Sequence, residues 1–554
     1  MGIKHLNKFI NKYFSQYITD IKVKDNFSID NQLIDLNCII HYSAQKTYRY
    51  GMFKEIPNFF NFEPSIQLLN IILYKDVCKI ILDILMRTNP RKRIFIAIDG
   101  PAPLAKQNQQ RQRRFKAAKE QIKNKDIKIS SIVFDEVFNI ILPEFNSSQI
   151  SPGTEFMYNL SEFITKWIRD FLLKEYSGRE IFFSNERVPG EGEYKCMEFI
   201  RKCLDESKYK ESFCINGPDA DLYMLTLGTL IPDFYIIKEN LFRKGELNPH
   251  KMIYSLYNMK SIRDKLLMML RKNTIDTSED NNLIYDFIIF CFFVGNDFVP
   301  ALPTIDIINN GLETMIEINK TLSSHFIDFE KKEINIETLY EFCVKLGKIE
   351  KDTLIEKYSN EEKFIEDDEI FHDVLNFQKE FEIEIYKQKY LEIKIQSEEK
   401  DVVQNYVDGL NWILRYYFYG IIDWDYIYYF SYAPFASMIA INLSSYKIEI
   451  NLKKTYPSPP YLQLLAILPP QSYDLIPEEL NKIMFREDMK KYYPTEIEID
   501  YQGKRKEFEG IIILPFINMK ELKEIYEKEI KNLNKNDIKR NEFSKTIKWK
   551  NGFK

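Results

Sequence analysis

Seven carboxylates occupy five short segments of this chain, each at the end of an apolar run: Leu33-Ile-Asp-Leu-Asn37, Ile96-Ala-Ile-Asp-Gly100, Val188-Pro-Gly-Glu-Gly-Glu193, Gly217-Pro-Asp-Ala-Asp221 and Val294-Gly-Asn-Asp-Phe298. Acids are otherwise kept from buried strand ends, where their charge is costly unless paired or bound to a metal. The segments also set the fold. Gln32–Ile40, Arg93–Ile98, Glu180–Ser184 and Ser212–Asn216 read as strands. Between or after them, Gln107–Lys125 and Thr154–Tyr176 read as helices, and Asp219-Ala-Asp221 opens another. Strand–helix alternation predicts an α/β protein with a doubly wound, mainly parallel sheet. Ligands of such sheets sit beyond the C-terminal strand ends, where the acids are found.

Acids converging on one sheet edge trap hard divalent cations, and two such cations roughly 4 Å apart are the usual machinery of phosphodiester hydrolysis. Any one of these acids could be a helix cap or turn residue. Seven together, two pairs of them beside Gly/Pro turns, point to a metal-dependent nuclease.

Charge agrees when read locally. The 554 residues carry a formal net charge of −5, yet Pro101–Lys125 holds eight Lys or Arg against Glu120 alone. Within Lys106-Gln-Asn-Gln-Gln-Arg-Gln-Arg-Arg114, a helix puts Lys106, Gln110, Arg113 and Arg114 on one side, a pocket suited to a terminal phosphate. On its own the segment would read as a solvated basic helix; it follows directly on Asp99-Gly-Pro-Ala-Pro103, which ties it to the acids. In the aromatic block Trp412–Tyr432 most rings should be core, with one or two free to stack a base; His41 is a second stacking candidate.

The seven cysteines have no C-x-x-C spacing and the five histidines no metal-ligand spacing, so neither a zinc site nor a disulfide framework is expected and a reducing compartment fits. No secretory signal is visible, and Phe287–Val294 is far shorter than the roughly 20 residues of a membrane span. The expectation is a soluble, intracellular protein. Three regions are expected: an α/β domain over 1–310, a charged helical segment or linker over 311–400, and a second region over 401–554 that braces the site. Glu361–Glu369 is expected to be a solvated run, and the last forty residues helical.

With these motifs in hand, the chain resembles the XRN-type 5′→3′ exoribonucleases. The likeness runs in collinear order through Met1-Gly-Ile3, Asp35-Leu-Asn37, Ala97-Ile-Asp-Gly100, Ala105–Phe115, Pro152–Met157, Val188–Lys195, Gly217–Leu222 and Gly295-Asn-Asp-Phe298. It continues through Gly409-Leu-Asn-Trp412, Tyr416–Gly420, Tyr432-Ala-Pro434 and Ile513-Leu-Pro-Phe516. The resemblance implies a two-ion Mg²⁺ or Mn²⁺ site held by Asp35, Asp99, Glu191, Glu193, Asp219, Asp221 and Asp297. It implies a 5′-monophosphate pocket of Lys106, Gln110, Arg113 and Arg114, and base stacking by His41 and Trp424, with Tyr426 as the alternative aromatic. The implied activity is processive hydrolysis of 5′-monophosphorylated single-stranded RNA to nucleoside monophosphates. An RNA-decay role follows, in the cytoplasm with the nucleus not excluded, with a decapping or RNA-processing partner and no membrane.

Lys4 stands where the family usually has Pro, and Asp423 where it commonly has Ser. The chain also ends soon after Leu514-Pro-Phe516, like a compact member without long C-terminal extensions. A DNA flap nuclease would share the acid-lined core, but not the basic helix and the second-half motifs. A scaffold without activity would be expected to have lost at least one of the acids.

Overall fold

The computed structural model describes residues 2–550 except 57–59, 61, 131–141, 204–205, 241, 244–245, 248–251, 273–276, 360–363 and 379. Eight strands form the central sheet: β1 (Ile18–Asp20), β2 (Ile29–Asp35), β3 (Pro90–Ala97), β4 (Glu180–Ser184), β5 (Phe213–Asn216), β6 (Phe234–Asn240), β7 (Ile253–Asn258) and β8 (Ile547–Lys550). Their order is β1-β7-β6-β5-β2-β3-β4-β8. The inner pairs β6·β5, β5·β2, β2·β3 and β3·β4 are parallel, while β7, β1 and β8 join antiparallel at the edges.

Eleven helices carry the argument: α1 (Leu6–Phe14), α2 (Asn37–Tyr48), α3 (Ile66–Thr88), α4 (Leu104–Ser130), α5 (Glu155–Trp167), α6 (Gly192–Cys203), α7 (Leu222–Gly228), α8 (Asp280–Phe293), α9 (Ile336–Gly347), α10 (Glu399–Phe418) and α11 (Pro460–Ile467). Successive strand residues point to opposite faces, and both faces are covered. Ile34, Ile94, Ile96, Ile181 and Phe183 pack with α2, α3 and α5. Leu33, Phe95, Phe182, Phe213 and Ile215 pack with α1, α6, α7, α8 and α10 on the other side. That second cluster runs from Ile3 to Ala440 and takes in Leu339, Phe342 and Leu346 of α9, so this part of the expected charged linker is packed core. A third cluster ties Phe115 of α4 to α11 and the C-terminal elements.

Strand register aligns the acid-bearing edge: Asp35 pairs with Ala97, Ala97 with Ser184, and Ile34 with Asn216. Three expectations need correction. The strand predicted over Gln32–Ile40 stops at Asp35, whose Oδ1 accepts the Asn37 N–H at 3.1 Å; that turn starts α2, and Ile39 and Ile40 reach the core from a helix. The helix predicted over Thr154–Tyr176 is α-helical to Trp167 and passes through a wider turn at Ile168–Leu172. The last forty residues are helical as expected over Met519–Glu529 and Lys535–Asn541, but they then close in a strand, β8. In the acidic run, residues 361–363 lie outside the described residues. Asp368 is not solvated but buried, accepting from the Tyr358 (2.8 Å) and Tyr386 (2.9 Å) hydroxyls. Among the described residues no helix is long and apolar enough to cross a membrane.

Candidate active site

Asp35 ends β2, and Asp99 lies just past β3. Glu191 and Glu193 flank the start of α6, and Asp219 and Asp221 fill the turn from β5 to α7. Asp297 arrives differently, from the loop after α8. The shifts of Asp35, Asp99, Glu191, Glu193 and Asp221 report mutual proximity. Burial raises Asp35, and Asp99, Asp219 and Glu191 push it further; Glu193 is raised by burial, Asp221 and Glu191. Asp221 sits at about 6 and Glu191 at about 7, burial being the main cause in both. Seven acids packed this closely repel one another unless cations intervene.

One cation is built in. Lys106 reaches from the first turn of α4 to place Nζ 2.5 Å from Glu191 Oε1 and 2.8 Å from Asp297 Oδ2. Burial alone would raise Asp297, but Lys106 outweighs it and holds the carboxyl below its usual range. Backbone and aromatic donors position the rest. The Gly192 N–H donates to Asp99 Oδ1 (2.7 Å) and the Tyr416 hydroxyl to Glu191 Oε2 (2.6 Å). Gly190 has φ +104°, and a side chain at Gly192 would collide with the Asp35 carboxylate.

Glu193, Asp219 and Asp221 each offer an oxygen within 4.8 Å of the others. Glu193 Oε2 and Asp221 Oδ1 are buried without a hydrogen-bond partner. Buried carboxylate oxygens are rarely left so. Hard oxygen donors in this number fit a divalent cation.

The basic residues of α4 divide between several tasks. Lys106 belongs to the acids. Arg113 is exposed, and Arg114 donates to Ser151 Oγ at 2.7 Å and, through burial, is lowered to about 9. Both bear on half-buried His41, which burial, then Arg113 and Arg114, lower to about 4, leaving a neutral ring at neutral pH. Gln110 Oε1 accepts from Gln463 Nε2 of α11 at 3.3 Å. Arg111, which sequence reasoning passed over, is fully buried and donates to the Ala466 and Tyr492 carbonyls.

Trp424 is half-buried, and its carbonyl accepts the Leu104 N–H at 2.8 Å, at the start of α4. Tyr426 is a correction: it is buried, its ring stacks on Trp412 at 5.5 Å, and its hydroxyl donates to the Asn405 carbonyl. It offers no face to a base. Sequence reasoning also missed Lys195, buried beneath the acids, whose Nζ donates to the carbonyls of Ile98 (2.6 Å) and Asn185 (2.8 Å). The signal was its i+4 spacing from Glu191 in a helix.

Fold and site define an α/β protein whose parallel strands end in a carboxylate-lined cleft, with a basic helix leading from it. The chain belongs to the XRN 5′-3′ exonuclease family: the XRN 5′-3′ exonuclease N-terminus matches residues 1–240, and the Xrn1 helical domain matches 277–380 and 353–548. It is 28% identical to 5′-3′ exoribonuclease 1 of Homo sapiens over 99% of this chain and 35% of that protein. Against 5′-3′ exoribonuclease 1 of Saccharomyces cerevisiae identity is 25%, over 99% and 44% respectively. Against 5′-3′ exoribonuclease 2 of Arabidopsis thaliana it is 27%, over 82% and 59%. The chain thus spans between about a third and three fifths of these relatives.

Proposed function

We propose that the chain is a 5′→3′ exoribonuclease that processively hydrolyses 5′-monophosphorylated single-stranded RNA to nucleoside 5′-monophosphates. The observation that carries this is the joining, by one helix, of the carboxylate cluster at Lys106 to the Arg113, Arg114 and His41 group. Asp35, Asp99, Glu191, Glu193, Asp219, Asp221 and Asp297 would hold two Mg²⁺ or Mn²⁺ ions. When bound, these would lower the pKa of a water and stabilise charge on the leaving 3′ oxygen.

The chain's own groups do the rest. Arg113 and Arg114, with Gln110, would grip the doubly charged terminal phosphate, as guanidinium forks suit. Lys106 holds Glu191 and Asp297 in place. Neutral His41 and Trp424 would stack the terminal bases. A pocket shaped to a monophosphate rejects capped and triphosphorylated ends by size, so capped messages would need prior decapping by a partner. Six free thiols among the described cysteines support placing the protein in a reducing compartment, the cytoplasm or the nucleus.

The test is degradation, in Mg²⁺, of one single-stranded RNA bearing a 5′ monophosphate, triphosphate or hydroxyl. Loss of the monophosphate form alone, with mononucleotide product, is expected. Equal attack on all three would overturn the pocket, and faster cleavage of a DNA flap would overturn the substrate.

A further inference from the structure

The segment before α1 is gripped by a turn far along the chain. Lys4 Nζ donates to the Glu509 carbonyl at 3.2 Å, and His5 Nε2 lies 2.8 Å from Glu509 Oε1. From α4, Lys116 Nζ donates to the Glu507 carbonyl at 2.8 Å. Lys504 opens the same turn. Two ammonium groups thus donate to carbonyls of this turn, the charges of Lys504 and Lys116 both act on Lys4, and among the described residues none of the three forms an ion pair within 4 Å.

The carboxylates whose charge acts on Lys4 and Lys504 are Glu509, Asp297, Asp500 and Asp368, and all are committed elsewhere, Asp297 to Lys106. Glu509 also accepts the Arg505 and Lys506 N–H groups at 2.8 and 3.2 Å. Asp500 accepts from Lys394 (2.7 Å), Tyr432 (2.5 Å) and the Gln502 N–H (2.9 Å). Asp368 is taken by Tyr358, Tyr386 and the Phe371 N–H. The imbalance is felt at Lys4, where burial, then Lys504, outweigh Glu509 and lower the ammonium to about 8, with Lys116 adding to the shift. Like charges gathered this way want an anion.

The cluster adjoins the acid cleft. A side chain at Gly2 would lie 3.1 Å from Asp221 Cγ, and the two residues from Gly2 to Lys4 span at most about 7 Å. Lys116 stands about 15 Å along α4 from Lys106.

We propose that Lys4, Lys116 and Lys504 form a second phosphate site, for an internal phosphodiester of a single-stranded RNA whose 5′ end occupies the cleft. The proposal rests on the exoribonuclease reading above. It assigns the strand a path over the turn at residues 504–509, outside the terminal pocket.

The test is binding of a 5′-monophosphorylated single-stranded RNA to the full chain carrying Asp219→Asn, followed by anisotropy through a salt series. Lys4→Gln, Lys116→Gln and Lys504→Gln should each flatten log affinity against log salt by about 0.7. A 5′-phosphorylated dinucleotide, too short to pass beyond the acids, should bind as before, and Lys116→Arg should restore the slope. Lys116 lies on a helix surface, so its variant answers even if Lys504→Gln misfolds. An unchanged slope in Lys4→Gln and Lys116→Gln overturns the site, as does an equal loss for the dinucleotide. If the unsubstituted chain binds no RNA, the exoribonuclease reading itself falls, and this site with it.

Discussion

Gly192 sits where the acid cluster is tightest, its N–H on Asp99 and its missing side chain making room for Asp35. Gly192→Ala should push these carboxylates apart, lowering the cleavage rate more than tenfold and costing about 1–3 kcal/mol of stability by overpacking; initial rates and urea midpoints read both. Asp219→Ala is expected to slow cleavage by about 10³-fold or more, since it removes one oxygen donor from the cation site, while RNA binding persists in a filter assay. Unchanged cleavage would overturn the site. Lys195 acts through others, holding the loops after β3 and β4 by two carbonyls. Lys195→Met should raise the Mg²⁺ needed for half-maximal activity by about tenfold and leave the 5′-end preference alone. A rate loss with unchanged Mg²⁺ dependence would count against that role.

Among the elements, α4 shows most clearly what could be read from the sequence. Its helicity, its basic character and its tie to Asp99 were legible, because local spacing governs them. How its side chains divide was not: Lys106 goes to the acids, Arg114 to Ser151, and Arg111 to carbonyls of Ala466 and Tyr492. Those partners lie on other elements, some over 350 residues away, and helical spacing carries no information about them. Arg111→Met should leave two buried carbonyls unsatisfied and cost about 1–3 kcal/mol, measured by denaturant unfolding. Strand β2 shows the complementary limit. Its apolar run continues into α2, and branched residues read as strand until the side chain of Asp35 turns the backbone. Tyr426 was indistinguishable from Trp424 by type, and only the packing of Trp412 separates them.

At the scale of the molecule, the two halves of the sequence share one core, and His325 joins parts of it. Its Nδ1 lies 2.6 Å from Asp286 Oδ2 of α8. That hydrogen bond, against burial, raises His325 above its ordinary 6.5. A raised pKa contributes stability in full below about pH 6.5, which is lost as pH rises through the folded value. Urea midpoints should therefore fall with rising pH in the unsubstituted chain and fall less steeply in His325→Gln; parallel slopes would refute the linkage.

The outer edge of β4 is covered by β8, which pairs with it from about 360 residues further along. A ribosome adding about 5–20 residues per second takes roughly 20–70 s to cover that distance. Throughout that interval β4 has its own hydrogen-bonding edge open to any passing strand. Synthesis is then the period of greatest hazard for this fold, and a chaperone that shelters strand edges would guard it until β8 emerges.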